Sequence, residues 1–260
     1  MTDLFDSPMQ MLGWAQRRID DLEKEIDRFS NARPWTFVRE RDDDGVIDAL
    51  KVKFSSRLSN DIPHIIFDAV NHLRSALDQT AHAIAVRHTG KARPKHAKFP
   101  FGQTEQEMVN DANGRCKDLP TEVTSIFRSF KPYKSGNVVL WALNELANTP
   151  KHKTIYPVSL SGLSTLIRPN GLKIEMRPNE RFELFPPRWD ADKYELILGY
   201  VPSRISFPED LEVTFTVALD EVDEVIRGPN PAAVLRRMAE EVKAVLDAAE
   251  QTCRCIGLMK

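Results

Sequence analysis

The chain has 260 residues, 42% hydrophobic and 28% charged, which is enough apolar material for one large core or two small ones. Its net charge is −2, no apolar run approaches the roughly 20 residues needed to cross a bilayer, and it starts acidic where a leader would be basic, so a cytoplasmic protein without membrane partners is expected. Cys116, Cys253 and Cys255 are odd in number and lack Cys-x-x-Cys spacing, which speaks against a disulfide framework and a zinc ribbon and leaves free thiols.

Ser7 as cap, Pro8 in the first turn and Gln10 at the capping-box position predict a helix running to about Phe29. Its apolar residues Leu12, Ala15, Ile19, Leu22, Ile26 and Phe29 step by three and four, a seam that needs a partner helix. Two alternating segments, 35–41 and 49–56, flank the acidic turn Asp42 to Gly45 and read as a hairpin. A long helix covers His64 to Ala85, and the Pro-containing connection Phe99 to Gly102 follows it. Short helices are predicted at 104–112 and 121–129, a turn at Lys131 to Gly136, and a helix from Val138 to Asn148 that Pro150 ends.

From 154 to 219 the pattern is that of strands. Leu172, Ile174 and Met176 alternate with charged residues after the hairpin turn Asn170-Gly171. Further strands are predicted near Arg181 to Phe185 and Tyr194 to Val201, separated by Pro186-Pro187, and along Leu211 to Leu219. After Asn230-Pro231 a last helix repeats the spacing of the first with Leu235, Met238, Val242, Val245, Ala249 and Ile256, so the terminal helices pair with each other or across a homodimer. Because strands and helices are grouped, the class is α+β: a helical bundle of long N-terminal, central and C-terminal helices, flanked by an antiparallel β-meander. The expected organisation is one domain over 1–260, with its helical part at about 1–153 and 229–257, its sheet at about 154–219 and its hairpin at about 35–56.

The feature that points to function is a stripe on the long helix. Asn71, Arg74, Asp78 and His82 fall within an arc of about 80°, with Ile66, Val70, Leu73, Leu77, Ala81 and Ile84 opposite. An ordinary solvated face favours Lys, Glu and Gln; an amide, a guanidinium, a carboxylate and an imidazole in register suit a hydrogen-bonded set or a site. A second cluster runs from Asn144 to Lys153, where Asn144 and Asn148 share a helix face and Lys151, His152 and Lys153 follow the break. Two cations beside an imidazole can hold a phosphate and tune the imidazole for proton transfer. Residues 87–177 hold fifteen Lys and Arg against seven Asp and Glu, and Arg87 to Lys98 contains five fixed cations, two histidines and no acid, which suits an anionic partner unless acids such as Asp42, Asp43 and Asp44 offset it.

The motifs Asn71-His-Leu-Arg-Ser-Ala-Leu-Asp78 and Leu143 to Lys153, with a Phe-Pro element between them, resemble a widespread set of uncharacterised bacterial proteins. Those proteins show a Leu-Arg-x-x-Leu-Asp helix and a later Asn-x-x-Lys-His-Arg segment; here Lys153 replaces the final arginine. A looser similarity is to HEPN domains, helical bundles that often act as metal-independent ribonucleases. Their signature separates an arginine and a histidine by four to six residues, whereas seven lie between Arg74 and His82, so the analogy concerns bundle architecture.

Serine-hydrolase, P-loop, dinucleotide and zinc-protease motifs are absent, and no cofactor is expected. The leading expectation is a pocket for an anionic ligand, RNA or a nucleotide. Arg74 and Lys151 hold phosphate there, His82 or His152 moves a proton, Asp78 orients an imidazole, and Asn71, Asn148 and Lys153 complete the site; any chemistry is phosphodiester cleavage without metal. The rival expectation is a non-catalytic interaction protein in which the stripe is a buried register-fixing network and the terminal helices dimerise. A third is a metal-dependent hydrolase using Asp78, His82 and His152.

Overall fold

The computed structural model describes residues 4–41, 46–148, 158–160, 164–165, 183–190, 192–204, 213–214, 217–219 and 230–259. Their contacts divide the chain into two compact units: Met1–Lys24, Asn60–Val158 and Leu219–Lys260 form one, and Glu25–Ser59 with Ser159–Ala218 form the other. The fold is α+β, with a helical bundle and an antiparallel sheet.

The helical unit contains most of α1 (Asp6–Ala32), then α2 (Asp61–Thr89), α3 (Glu105–Arg115), α4 (Thr121–Ser129), α5 (Val138–Asn148) and α6 (Pro231–Cys255). The three-four periodicity of α2 buries Ile66, Val70, Leu73, Leu77, Ala81 and Ile84 completely, and Gly90 ends the helix with the left-handed φ of 70° that glycine adopts without strain. Buried Leu235, Met238, Val242, Val245 and Ala249 line α6, which packs on α2, α4 and α5. Helix α1 lies antiparallel along α2, since Ser7 meets Gln79 and, about two turns on, Trp14 meets His72. Arg236 of α6 binds Asp20 and Glu23 of α1, so the terminal helices are joined within one chain.

One local expectation changes in the helical unit. Ser7 is not a cap: α1 already begins at Asp6, and the Ser7 hydroxyl donates to Gln79 Oε1 at 2.6 Å. The short helices follow the predicted positions, with Thr104 as an extended N-cap accepting from the Glu107 amide. The turn before α5 is tight enough that a Cβ on Gly136 would sit 2.5 Å from the Lys131 carbonyl oxygen.

In the second unit, β1 (Trp35–Arg41) and β2 (Ile47–Phe54) pair antiparallel, with β3 (Val158–Leu160) and β4 (Ser164–Thr165) following in sequence. Strands β5 (Glu183–Asp190) and β6 (Glu195–Pro202) also pair antiparallel, and β2–β6 pairing joins the two hairpins into one sheet of order β1-β2-β6-β5. Pro186 and Pro187 do not separate strands but lie inside β5, at its register shift against β6; an edge strand tolerates missing amide donors. Two further short pairs occur among the described residues: β4 with β7 (Val213–Thr214) and β3 with β8 (Val217–Leu219). The strand expected around Leu172, Ile174 and Met176 and the turn Asn170-Gly171 lie outside the described residues.

Phe29, Trp35, Phe54 and Tyr194 form an aromatic cluster with ring centroids 5.8–6.4 Å apart. Buried Lys51 bridges Glu195 at 2.8 Å and Glu40 at 2.6 Å, so the carboxylates compensate the burial of its ammonium group.

Candidate functional site

The polar stripe of α2 lines an open pocket of about 600 Å³ in the helical unit. Asn71, Arg74, Asp78 and His82 share it with Ser75, Lys98 and Arg115, with Ser7 and Gln79 at one margin and Asn148 from the end of α5. Three cations and an imidazole therefore face one carboxylate. Asn71 of α2 and Asn148 of α5, 77 positions apart in sequence, both line the pocket. Asn144 is half-buried outside this lining, and Lys151, His152 and Lys153 lie outside the described residues.

Arg74 is the fixed centre of the site. Its side chain is only 15% exposed, and its guanidinium donates to Asp78 Oδ1 at 3.0 Å while lying 4.1 Å over the Phe101 ring. Burial pushes its pKa down against the opposing pull of Asp78, yet an arginine stays charged under all ordinary conditions. Fixing a planar guanidinium on an aromatic face and a carboxylate removes its rotamer freedom in advance, which reduces what a ligand must spend on ordering it.

The Phe99–Phe101 segment supplies that platform. The Phe99 amide donates to Asp78 Oδ1 at 3.2 Å and the Phe101 amide donates to Asp111 Oδ2 at 3.2 Å, so carboxylates from α2 and α3 hold alternate residues of one extended stretch. Phe99 is fully buried against Phe127 and Phe101. Gly102 is needed next, because a Cβ there would lie 2.3 Å from the Met108 backbone nitrogen at the start of α3.

Asp78 thus serves Arg74 and the Phe99 amide, where the sequence assigned it to an imidazole. His82 is exposed in the lining, and its ring has no hydrogen bond to another described residue. Asn71 donates one Nδ2 hydrogen to the Phe67 carbonyl at 2.8 Å, which orients the amide and leaves its second N–H and its carbonyl oxygen available to a ligand. The stripe is therefore neither fully buried nor fully solvated.

Lys98, Arg115 and Phe101 were not singled out in the sequence. Lys98 ends the basic run, and its amide donates to the Arg115 carbonyl at 3.1 Å, which brings the start of this segment and the end of α3 together at the pocket. Arg115 also binds Asp111 at 2.8 Å. The rest of the basic run is held by Asp118, which accepts from Lys91 Nζ at 3.2 Å and from the Lys95 and His96 amides at 3.0 and 2.9 Å. Among the described residues the acid that touches this loop is Asp118; Asp42, Asp43 and Asp44 lie outside them. Hydrogen bonding from the His96 amide, with help from Lys91, holds the Asp118 carboxyl below its ordinary pKa.

Trp141 belongs to the core, as a tryptophan in a short amphipathic helix commonly does: it is 8% exposed and donates from Nε1 to Gln103 Oε1 at 2.9 Å. No group of three or more His, Cys, Asp or Glu suited to a metal ion occurs among the described residues. No helix among them is long and apolar enough to cross a membrane.

The fold and site together define an α+β protein whose helical unit carries an open pocket lined by cations and amides. No protein-family model matches the chain, and neither a curated protein nor a solved structure matches it.

Proposed function

We propose that the helical unit binds an anionic ligand, RNA or a nucleotide, through its phosphate in the pocket on α2. The observation that carries this is the immobilised Arg74, held by Asp78 and Phe101 beside Lys98, Arg115 and His82 in one open cavity. Arg74 and Arg115 are each oriented by a carboxylate, Asp78 and Asp111, and exposed Lys98 adds a further cation beside them; such a cluster favours an anion, and amide and hydroxyl groups supply the directional contacts. In metal-independent phosphodiester cleavage, His82 is the group of this lining suited to proton transfer.

Calorimetric titration with adenosine monophosphate tests the binding, comparing the parent chain with Lys98→Ala and His82→Ala, whose exposed side chains have little part in the core. Saturable binding weakened several-fold by Lys98→Ala supports the site. Binding that ignores both substitutions, or no binding at all, contradicts it. Incubating labelled RNA with the protein in a chelator tests cleavage, which must disappear in His82→Ala.

A further inference from the structure

We infer that the ligand is a single RNA strand several nucleotides long, running along α2 from a base-stacking site at Trp14, through the pocket, to the basic loop 90–98. This extends the proposed phosphate site and rests on it. The first support is Trp14, which is 41% exposed although tryptophan is costly to leave in water. Its indole stacks on His72 with centroids 6.5 Å apart at 28°, and the Arg17 guanidinium lies 4.1 Å from the ring centroid. The guanidinium lies over the ring, so a base joins this stack on the outer plane of Arg17 and on the exposed part of the indole, both surfaces on which unpaired bases stack.

Position supplies the second support. Ser7 and Gln79 line the pocket, and Trp14 and His72 are each seven residues further along the same antiparallel helices, about 10 Å away at the helical rise. At the opposite end of α2, Lys91, Arg93, Lys95, His96 and Lys98 are all exposed, and Lys98 itself lines the pocket. Asp118 binds this loop mainly through backbone amides, fixing its path without occupying the side chains of Arg93, Lys95 and Lys98. From His72 to Arg87 the helix rises about 22 Å. One nucleotide cannot reach across that; at roughly 3.4 Å per stacked nucleotide it accommodates about six.

The third support concerns the sugar. Asn71 uses only one of its two Nδ2 hydrogens on Phe67, so it offers the pocket an oriented N–H together with a carbonyl oxygen, a donor–acceptor pair that suits a group able both to accept and to donate, such as the ribose 2′-hydroxyl. A stacking platform also selects unpaired bases over a duplex.

Fluorescence anisotropy with labelled oligouridylates of increasing length, up to eight nucleotides, tests this beside the adenosine monophosphate titration and a deoxy octamer. Affinity should rise with length to about six nucleotides, and log affinity should fall with log salt at a slope near −0.7 per phosphate held. Trp14→Leu should weaken the octamer at least about fivefold while leaving the monophosphate unchanged. Arg93→Gln with Lys95→Gln, at loop positions outside the core, should flatten the salt slope. An octamer no tighter than the monophosphate overturns the strand while sparing the phosphate site; failure of both ligands overturns the two together. Equal binding of the deoxy octamer overturns the assignment to RNA.

Discussion

Asp78→Ala is the substitution whose consequence the geometry fixes best. One oxygen, Asp78 Oδ1, accepts both from Arg74 and from the Phe99 amide, so truncation removes the partner of a charge that is 15% exposed and of a backbone donor in a fully buried residue. A hydrogen bond to a charged group contributes about 1.5–3 kcal/mol, and an orphaned donor costs about 1–3 kcal/mol. Asp78 is itself 32% exposed, so water enters as the carboxylate leaves and relieves part of the cost. A net loss of about 2 kcal/mol is expected, or a fall of about 4–8 °C in melting temperature for a cooperative unit of this size. Asp78→Asn keeps an acceptor at the same position and should lose about half as much. Thermal unfolding followed by circular dichroism provides the readout. If Asp78→Ala melts within about 1 °C of the parent chain, the carboxylate does not hold Arg74 and the Phe99 segment together, and the preorganised pocket loses its basis.

Three further outcomes follow from other parts of the molecule. Burial pushes the Cys116 and Cys253 thiols up to about 12 and about 11, so at pH 8 a thiol reagent should modify exposed Cys255 quickly and the other two only on unfolding; rapid modification of Cys116 would contradict its burial. The Asp118 carboxyl, held down by the His96 amide, should titrate by NMR with a midpoint below its ordinary 3.8. Because its folded value is depressed, its grip on the loop is complete above the unfolded value and is lost only as pH falls through the folded one; a midpoint at or above 3.8 would contradict the clamp. Gly136→Ala should destabilise the helical unit by about 1–3 kcal/mol in urea unfolding, since the new Cβ would lie 2.5 Å from the Lys131 carbonyl oxygen, whereas a neutral result would show that the turn yields freely.

Much of the fold is written in local patterns. The bounds of α3, α4 and α5 follow from a capping threonine, a tight glycine turn and runs of apolar residues at helical spacing, all within a few residues of one another. The prolines of β5 misled for a physical reason: they are compatible with a strand only at an edge, and edge position depends on the non-local β2–β6 pairing. The same division applies to the site. Asn71, Arg74, Asp78 and His82 are visible because they share one helical face. Their partners are not, since Asp78 has Arg74 four residues before it and His82 four after, and periodicity is silent on which one it binds. The Phe99 amide and the Phe101 ring decide the matter from another segment, and Lys98 and Arg115 reach the pocket by the same kind of long-range packing.

The central claim is that the α2 pocket is an anion site organised by Arg74. Amide and side-chain NMR spectra recorded during titration with adenosine monophosphate test it most directly, with the Arg74 guanidinium, the His82 imidazole and the Lys98, Arg115 and Asn148 amides as reporters. Saturable shifts concentrated on those groups are predicted, and they should vanish in Arg74→Ala if that variant keeps the parent's fold. Spectra that stay unchanged at millimolar ligand, or shifts confined to surfaces away from α2, would contradict the claim.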